Sequence, residues 1–99
     1  RFSLPAGHTS AAVVHQTMDE LWYVLAGRGE MWRSHDGQET TICLLPGLSL
    51  SLPAGTHFQF RAAPDTELAI LGVSMPPWPG DHEALAVAGP WPPSAAPYP

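Results

Sequence analysis

His15-Gln-Thr-Met-Asp-Glu-Leu-Trp-Tyr-Val-Leu-Ala-Gly-Arg-Gly29 and, downstream, Pro46-Gly-Leu-Ser-Leu-Ser-Leu-Pro-Ala-Gly-Thr-His-Phe-Gln-Phe60 are the stretches whose reading decides the fold. In the first, Leu21 to Leu25 is rich in aromatic and β-branched residues and too short for a stable helix between its polar and glycine boundaries, so it reads as a buried strand. In the second, Pro46-Gly47 turns, Leu48 to Leu52 alternates apolar with serine at the period of a strand, Pro53-Ala54-Gly55 turns again, and Thr56 to Arg61 returns.

Working outward, Phe2 to Pro5 reads as an edge segment, because proline cannot donate to a sheet ladder. Gly7-His8 is a turn, and Thr9 to His15 a strand. Gly27-Arg28-Gly29 begins a hairpin into Glu30 to Arg33. Asp36-Gly37 supplies the two positive-φ positions of a tight hairpin turn, and Thr40 to Leu45 returns. Ala62 to Thr66 is a loop, and Glu67 to Ser74 is the last clear strand. Eight of the twelve prolines fall between Pro76 and Pro99. Residues 1–75 are therefore expected to form a barrel, and residues 76–99 an extended Pro/Trp-rich tail without regular structure, packed on the barrel or on a partner through Trp78, Trp91 and Tyr98. Seven or eight short strands with no helical period predict an all-β, antiparallel sandwich or barrel.

A chain of 99 residues is one domain with a small core. Hydrophobic residues make up 44% and charged residues 13%, more apolar surface than one small barrel needs inside, which points to a covered outer face and a homodimer. The formal charge is −5, with four arginines, no lysine and no basic run. That pattern argues against a nucleic-acid partner and against an anionic membrane surface. No apolar run approaches the roughly 20 residues of a membrane span, and the expectation is of a chain without a charged-then-apolar leader. A single cysteine allows no internal disulfide. The expectation is a soluble, cytoplasmic protein, with residues missing before Arg1.

The spacing from Gly7 onward resembles the first motif of the cupin superfamily, in which a glycine, a His-x-His pair, a glutamate and a glycine follow at set intervals. Gly7, Val13-Val14-His15, Glu20 and Gly27 fall in that frame. The second cupin motif, glycine, Pro-x-Gly and histidine, is matched by Gly47, Pro53-Ala54-Gly55 and position 58, which is Phe58. The resemblance covers Gly7 to Ser74 and is closest to small single-domain bacterial cupins. It implies a jelly-roll or double-stranded β-helix barrel, often dimeric, whose interior commonly holds one divalent metal on three histidines and a glutamate. Here Val13 and Phe58 stand at two of those ligand positions, leaving a degenerate set.

Inward and outward side chains alternate in a barrel. If His15 and Glu20 face in, Val13, Trp22, Phe58 and Phe60 join them, and Trp32 is a further candidate for the same aromatic pocket. A metal site of iron, zinc, manganese or nickel would need His57 as its third ligand, which requires a one-residue shift after Gly55-Thr56; strict alternation sends His57 outward. A metal-free interior is equally compatible with the sequence. His15 and Glu20 then form a polar pair that contacts a small molecule, moves a proton, or simply satisfies its own neighbours. The two functions in play are a non-catalytic module binding a small molecule and a metal-dependent oxygenase, isomerase or lyase. His8 and His35 read as solvated turn residues. His82 sits in an Asp-His-Glu run whose adjacent side chains point apart on an extended chain. Cys43 reads as a small buried hydrophobe, and Arg61 as the surface partner of Asp65 or Glu67.

Overall fold

The computed structural model describes residues 1–75 and 83–94. These form nine strands: β1 (Phe2–Leu4), β2 (Val13–His15), β3 (Asp19–Ala26), β4 (Gly29–His35), β5 (Gln38–Leu44), β6 (Ser49–Leu52), β7 (His57–Ala62), β8 (Leu68–Met75) and β9 (Ala84–Ala86). They pair antiparallel in a four-stranded sheet, order β1-β8-β3-β6, and a five-stranded sheet, order β5-β4-β7-β2-β9. This is the all-β, two-sheet barrel that the strand pattern predicts. Asp36 (φ 53°) and Gly37 (φ 79°) occupy the left-handed region, as the hairpin turn between β4 and β5 requires. The expected strand from Thr9 to His15 is shorter, reduced to β2 and an isolated bridge from Thr9 to Arg61. Between them the Ser10 side chain interrupts the ladder, its hydroxyl accepting the Phe60 amide.

The inward faces of the two sheets meet over an apolar core. Its centre is Trp22, whose ring meets Phe2, Phe60 and Phe58 edge-on, with centroids 5.0, 5.0 and 5.6 Å away. Such edge-to-face pairs contribute about 0.5–1.5 kcal/mol each beyond their burial.

The expectation that the tail would be without regular structure is corrected at Ala84-Leu85-Ala86. These three residues lack proline and have free amides, so they can extend the sheet, and β9 pairs with β2 from Val13↔Ala86 to His15↔Ala84. Beyond β9 the chain straps the outer face of the five-stranded sheet. The Val87 amide donates to the Ala12 carbonyl, and Ser94 exchanges two hydrogen bonds of 2.9 Å with the Thr9 backbone. Gln59, buried on that face, donates to the Trp91 carbonyl at 2.7 Å and to the Ser10 carbonyl at 2.9 Å, while its own oxygen accepts the Trp91 amide. The Arg61 guanidinium stacks 4.1 Å from the centre of the Trp91 ring.

The strap closes so tightly that a Cβ at Gly89 would lie 2.6 Å from the Ala12 Cβ and overlap the Gln59 oxygen. Gly89→Ala is accordingly expected to cost about 1–3 kcal/mol, as overpacking of a filled site does, and to lower the melting temperature by roughly 5–15 °C for a domain of this size. A thermal melt followed by far-UV circular dichroism checks this; an unchanged midpoint would show that the strap is not seated on Ala12 and Gln59.

Candidate functional site

His15 ends β2 and Glu20 is the second residue of β3, so the two come from different sheets and meet across the barrel interior. Alternation turns both inward: Val13 and His15 are buried on β2, and Glu20, Trp22 and Val24 on β3. Val13 pairs with Phe58, and Phe58 and Phe60 share the inward face of β7. The structure therefore brings together six of the residues that the sequence groups in one interior: His15, Glu20, Val13, Trp22, Phe58 and Phe60. The His15 ring meets Phe58 edge-on at 5.2 Å. Glu20 accepts the Trp22 indole N–H at 2.7 Å, and the Ser74 hydroxyl donates to its other oxygen at 3.4 Å.

Trp32 is not among them. It pairs with Gln59 and Thr41, on the outward face, and its indole donates to Glu39 at 2.8 Å. Its neighbour Met31 takes the inward position opposite Phe60. Both Met31 and Trp32 are buried, which is why an apolar pattern could not say which of them faces in. His57 also points away: it precedes the inward Phe58 and pairs with Val14 and Ser34, so no one-residue shift occurs in the strand. Cys43, expected to be buried, is exposed, paired with Glu30 on the outward face. Arg61 pairs with Glu30 at 2.6 Å, while Asp65 takes Arg28. His35 lies beside Asp36 at 3.3 Å, half exposed. His82, Trp78 and Tyr98 lie outside the described residues.

The metal ligands can be tested for fit. A protein metal centre of this kind takes three or more side-chain ligands. His15 and Glu20 supply two, His57 is on the wrong face, and among the described residues no group of three His, Cys, Asp or Glu converges on a metal position. The described donor set does not fit the metal that the resemblance implies.

Glu83 bears on the position of this pair in a way that the sequence did not disclose. Its buried carboxylate accepts the Thr17 amide at 2.6 Å, the Met18 amide at 2.9 Å and the Thr17 hydroxyl, and its carbonyl accepts the Gln16 amide. It thereby fastens the β2–β3 connection that sets His15 relative to Glu20. Burial alone would raise the Glu83 carboxyl, but these hydrogen bonds and the nearby His15 outweigh it and hold the group below its ordinary value. Burial pushes the His15 imidazole below its ordinary value, against the opposing pull of Glu20 and Glu83. His15 is thus disposed to be neutral inside the barrel, able to offer one donor and one acceptor.

Beside this pair the barrel opens. A cleft of about 460 Å³ lies between the sheets, lined by Arg33, His35, Gln38 and Thr40 of the β4–β5 hairpin and by Ser51 and Pro53 across from them. Arg33 pairs with Phe58 on the inward face, so the cleft begins where the aromatic interior ends. The turn after β6 separates the cleft from His15 and Glu20, with the Gly55 amide donating to the His15 carbonyl and the Ala54 amide to the Asp19 carboxylate. Thr56 follows this turn; its buried hydroxyl has no partner among the described residues. Arg33 donates to the Ser51 carbonyl at 3.1 Å, whereas Arg28 and Arg61 both face carboxylates.

A family model described as the cupin domain matches residues 1–74. Among solved structures, the capsular polysaccharide assembling protein CapF from Staphylococcus aureus is similar at 17% identity and a TM-score of 0.66, over 74% of this chain and 22% of that one. The CENP-C cupin domain of Drosophila melanogaster is similar at 14% identity and a TM-score of 0.68, over 73% and 56%. A cupin protein from Bacteroides fragilis is 29% identical with a TM-score of 0.59, over 73% and 58%. The chain thus spans about a fifth of the CapF length and somewhat over half of the other two. No curated protein matches it. Among the described residues, no helix is long and apolar enough to cross a membrane.

The two displaced titrations give acid a staged effect on stability. As pH falls below the ordinary histidine value of 6.5, the unfolded chain takes up a proton that folded His15 resists, so stability drops until the lower folded value is passed. A second loss begins near the ordinary value of 4.5 at Glu83 and ends once the folded carboxyl protonates. His15→Gln is expected to remove the first stage and Glu83→Gln to shrink the second, while also lowering the melting temperature at pH 7. Thermal melts between pH 7.5 and 3.5 check this; identical pH profiles for wild type and His15→Gln would contradict it.

Proposed function

The chain belongs to the cupin family, and from that premise we propose that it is a binding module whose barrel takes a small molecule through the cleft between the sheets. The observation that carries this reading is a cleft of about 460 Å³ that holds the Arg33 guanidinium and the Thr56 side chain, one turn away from a buried imidazole and a buried carboxylate. Small-molecule sites characteristically combine an apolar, aromatic wall with a few convergent polar groups. Thr56 supplies a hydroxyl to the cleft, and His15 and Glu20 give the interior behind the turn its polar character. A buried hydroxyl without a protein partner is uncommon in folded chains, which favours an outside partner for it. Arg33, with a carbonyl rather than a carboxylate as its described partner, suits a carboxylate or another anionic group on the ligand.

The reading needs no metal, and the described donors fall short of a metal site. A catalytic, metal-dependent role would require a third ligand from outside the described residues.

Full-length protein, purified without chelator or affinity metal, is to be examined by elemental analysis and by calorimetric titration with a panel of small cyclic and hydroxylated carboxylates. The expected result is saturable binding without stoichiometric metal. Arg33→Ala should weaken binding about tenfold, the ~1.4 kcal/mol expected of a charge-assisted contact, and His15→Ala or Glu20→Ala should abolish it. Near-stoichiometric iron, zinc, manganese or nickel would contradict the proposal and favour the enzyme; so would ligand affinity indifferent to all three substitutions.

A further inference from the structure

The β4–β5 hairpin carries the inward face of its sheet past the end of the core. Met31↔Ile42 is the last apolar cross-strand pair on that face, and Arg33↔Thr40 and His35↔Gln38 follow it. Cross-strand neighbours stand roughly 5 Å apart, and alternate residues of one strand about 7 Å. Arg33, Thr40, His35 and Gln38 therefore present a polar array of about 5 by 7 Å, enough for a single small ring with its substituents. Ser51 and Thr56 line the facing side, and among the described residues of the lining only Pro53 lacks a polar side chain. An apolar ligand would take these groups from water and return no hydrogen bonds, at a cost of about 1–3 kcal/mol for each one stranded. The cleft is accordingly built for an occupant that is hydroxylated over most of its surface.

Arg33 adds a requirement of its own. β6 is the end strand of its sheet. Its hydrogen-bonded pairs with β3 fall at every second residue from Leu48, whose carbonyl accepts the Val24 amide, so Ser51 lies between two of them and its carbonyl points off the sheet edge. That carbonyl is the described partner of Arg33, at 3.1 Å. A carboxylate is a stronger partner, because it brings a full negative charge and can take two guanidinium N–H groups at once. Once Arg33 turns to it, the Ser51 carbonyl faces the ligand without a donor, and a carboxylate, which only accepts, cannot supply one. A hydroxyl close to the carboxylate can.

Resting on the small-molecule role proposed for this cleft, we infer that its ligand is a polyhydroxylated carboxylate the size of one sugar acid, which draws Arg33 off the Ser51 carbonyl and replaces it there with a hydroxyl of its own. The volume of about 460 Å³ is ample for such a molecule. Gln38 and Thr40 can each give and accept a hydrogen bond to the other hydroxyls. Asp36, the acid of the lining, sits at the exposed tip of the hairpin beside His35, 3.3 Å away. The ligand's carboxylate is thereby directed to the Arg33 end of the cleft and its hydroxyls to the His35 end.

Calorimetric titration of the full-length chain compares D-glucuronate and D-galacturonate with cyclohexanecarboxylate, which keeps a six-membered ring and the carboxylate and lacks every hydroxyl. At least one uronate is expected to bind ten or more times as tightly as cyclohexanecarboxylate, and as tightly again relative to D-glucose, which has the hydroxyls without the carboxylate. Thr40→Val removes one hydroxyl from an exposed strand position and should weaken that uronate at least threefold, with circular dichroism confirming the fold. Cyclohexanecarboxylate or D-glucose binding as tightly as the uronates, or a uronate affinity that Thr40→Val leaves unchanged, overturns the inference while the small-molecule role of the cleft stands. Failure of every carboxylate to bind overturns both.

Discussion

The hydrogen bond from the Trp22 indole to the Glu20 carboxylate, 2.7 Å long and buried, is the contact on which the barrel interior depends. An ionised carboxylate taken out of water is expensive unless donors reach it. Trp22 supplies one donor from the apolar side, and Ser74 supplies another. The same bond fixes the orientation of the ring that Phe2, Phe58 and Phe60 pack against, so the polar and the aromatic halves of the interior are not separable. Removing the carboxylate would free the indole; removing the indole would strand the carboxylate.

His15 completes that interior from the opposite sheet, and its position is set from outside the barrel. Glu83 gathers the Thr17 and Met18 amides and the Thr17 hydroxyl, which holds the β2–β3 connection and with it the approach of His15 to Glu20. Two carboxylates thus bear on one imidazole that burial nevertheless keeps from protonating readily.

The parts legible in the sequence are those set by local rules. The Asp36-Gly37 turn, the period-two run at Leu48 to Leu52 and the short apolar strand at Leu21 to Leu25 each depend on neighbours a few residues away, and each is where the pattern puts it. Alternation also sufficed to set His15, Glu20, Trp22, Phe58 and Phe60 on inward faces. It failed at Met31-Trp32, where two adjacent residues on opposite faces of the strand are both buried. It failed for Cys43, since a strand at the sheet edge is open on its outward side whatever its hydropathy. Glu83 was out of reach for a different reason: its partners lie 65 and 66 residues upstream, and nothing near it in sequence distinguishes a loop-capping acid from a solvated one. The proline count concealed β9 in the same way, because three proline-free residues suffice to pair with β2.

The central claim is that the barrel holds an uncharged imidazole against an aromatic wall, within the electrostatic reach of an acid on the facing strand. The most direct test is the nitrogen NMR of the His15 ring in the full-length chain, followed as pH is lowered through 6.5, the ordinary histidine value. The account predicts a ring that is mainly the neutral tautomer at that pH and takes up its proton below it. A ring already cationic at pH 6.5 would contradict it, for the interior would then be a charged ion-pair site and not the hydrogen-bonding one described above.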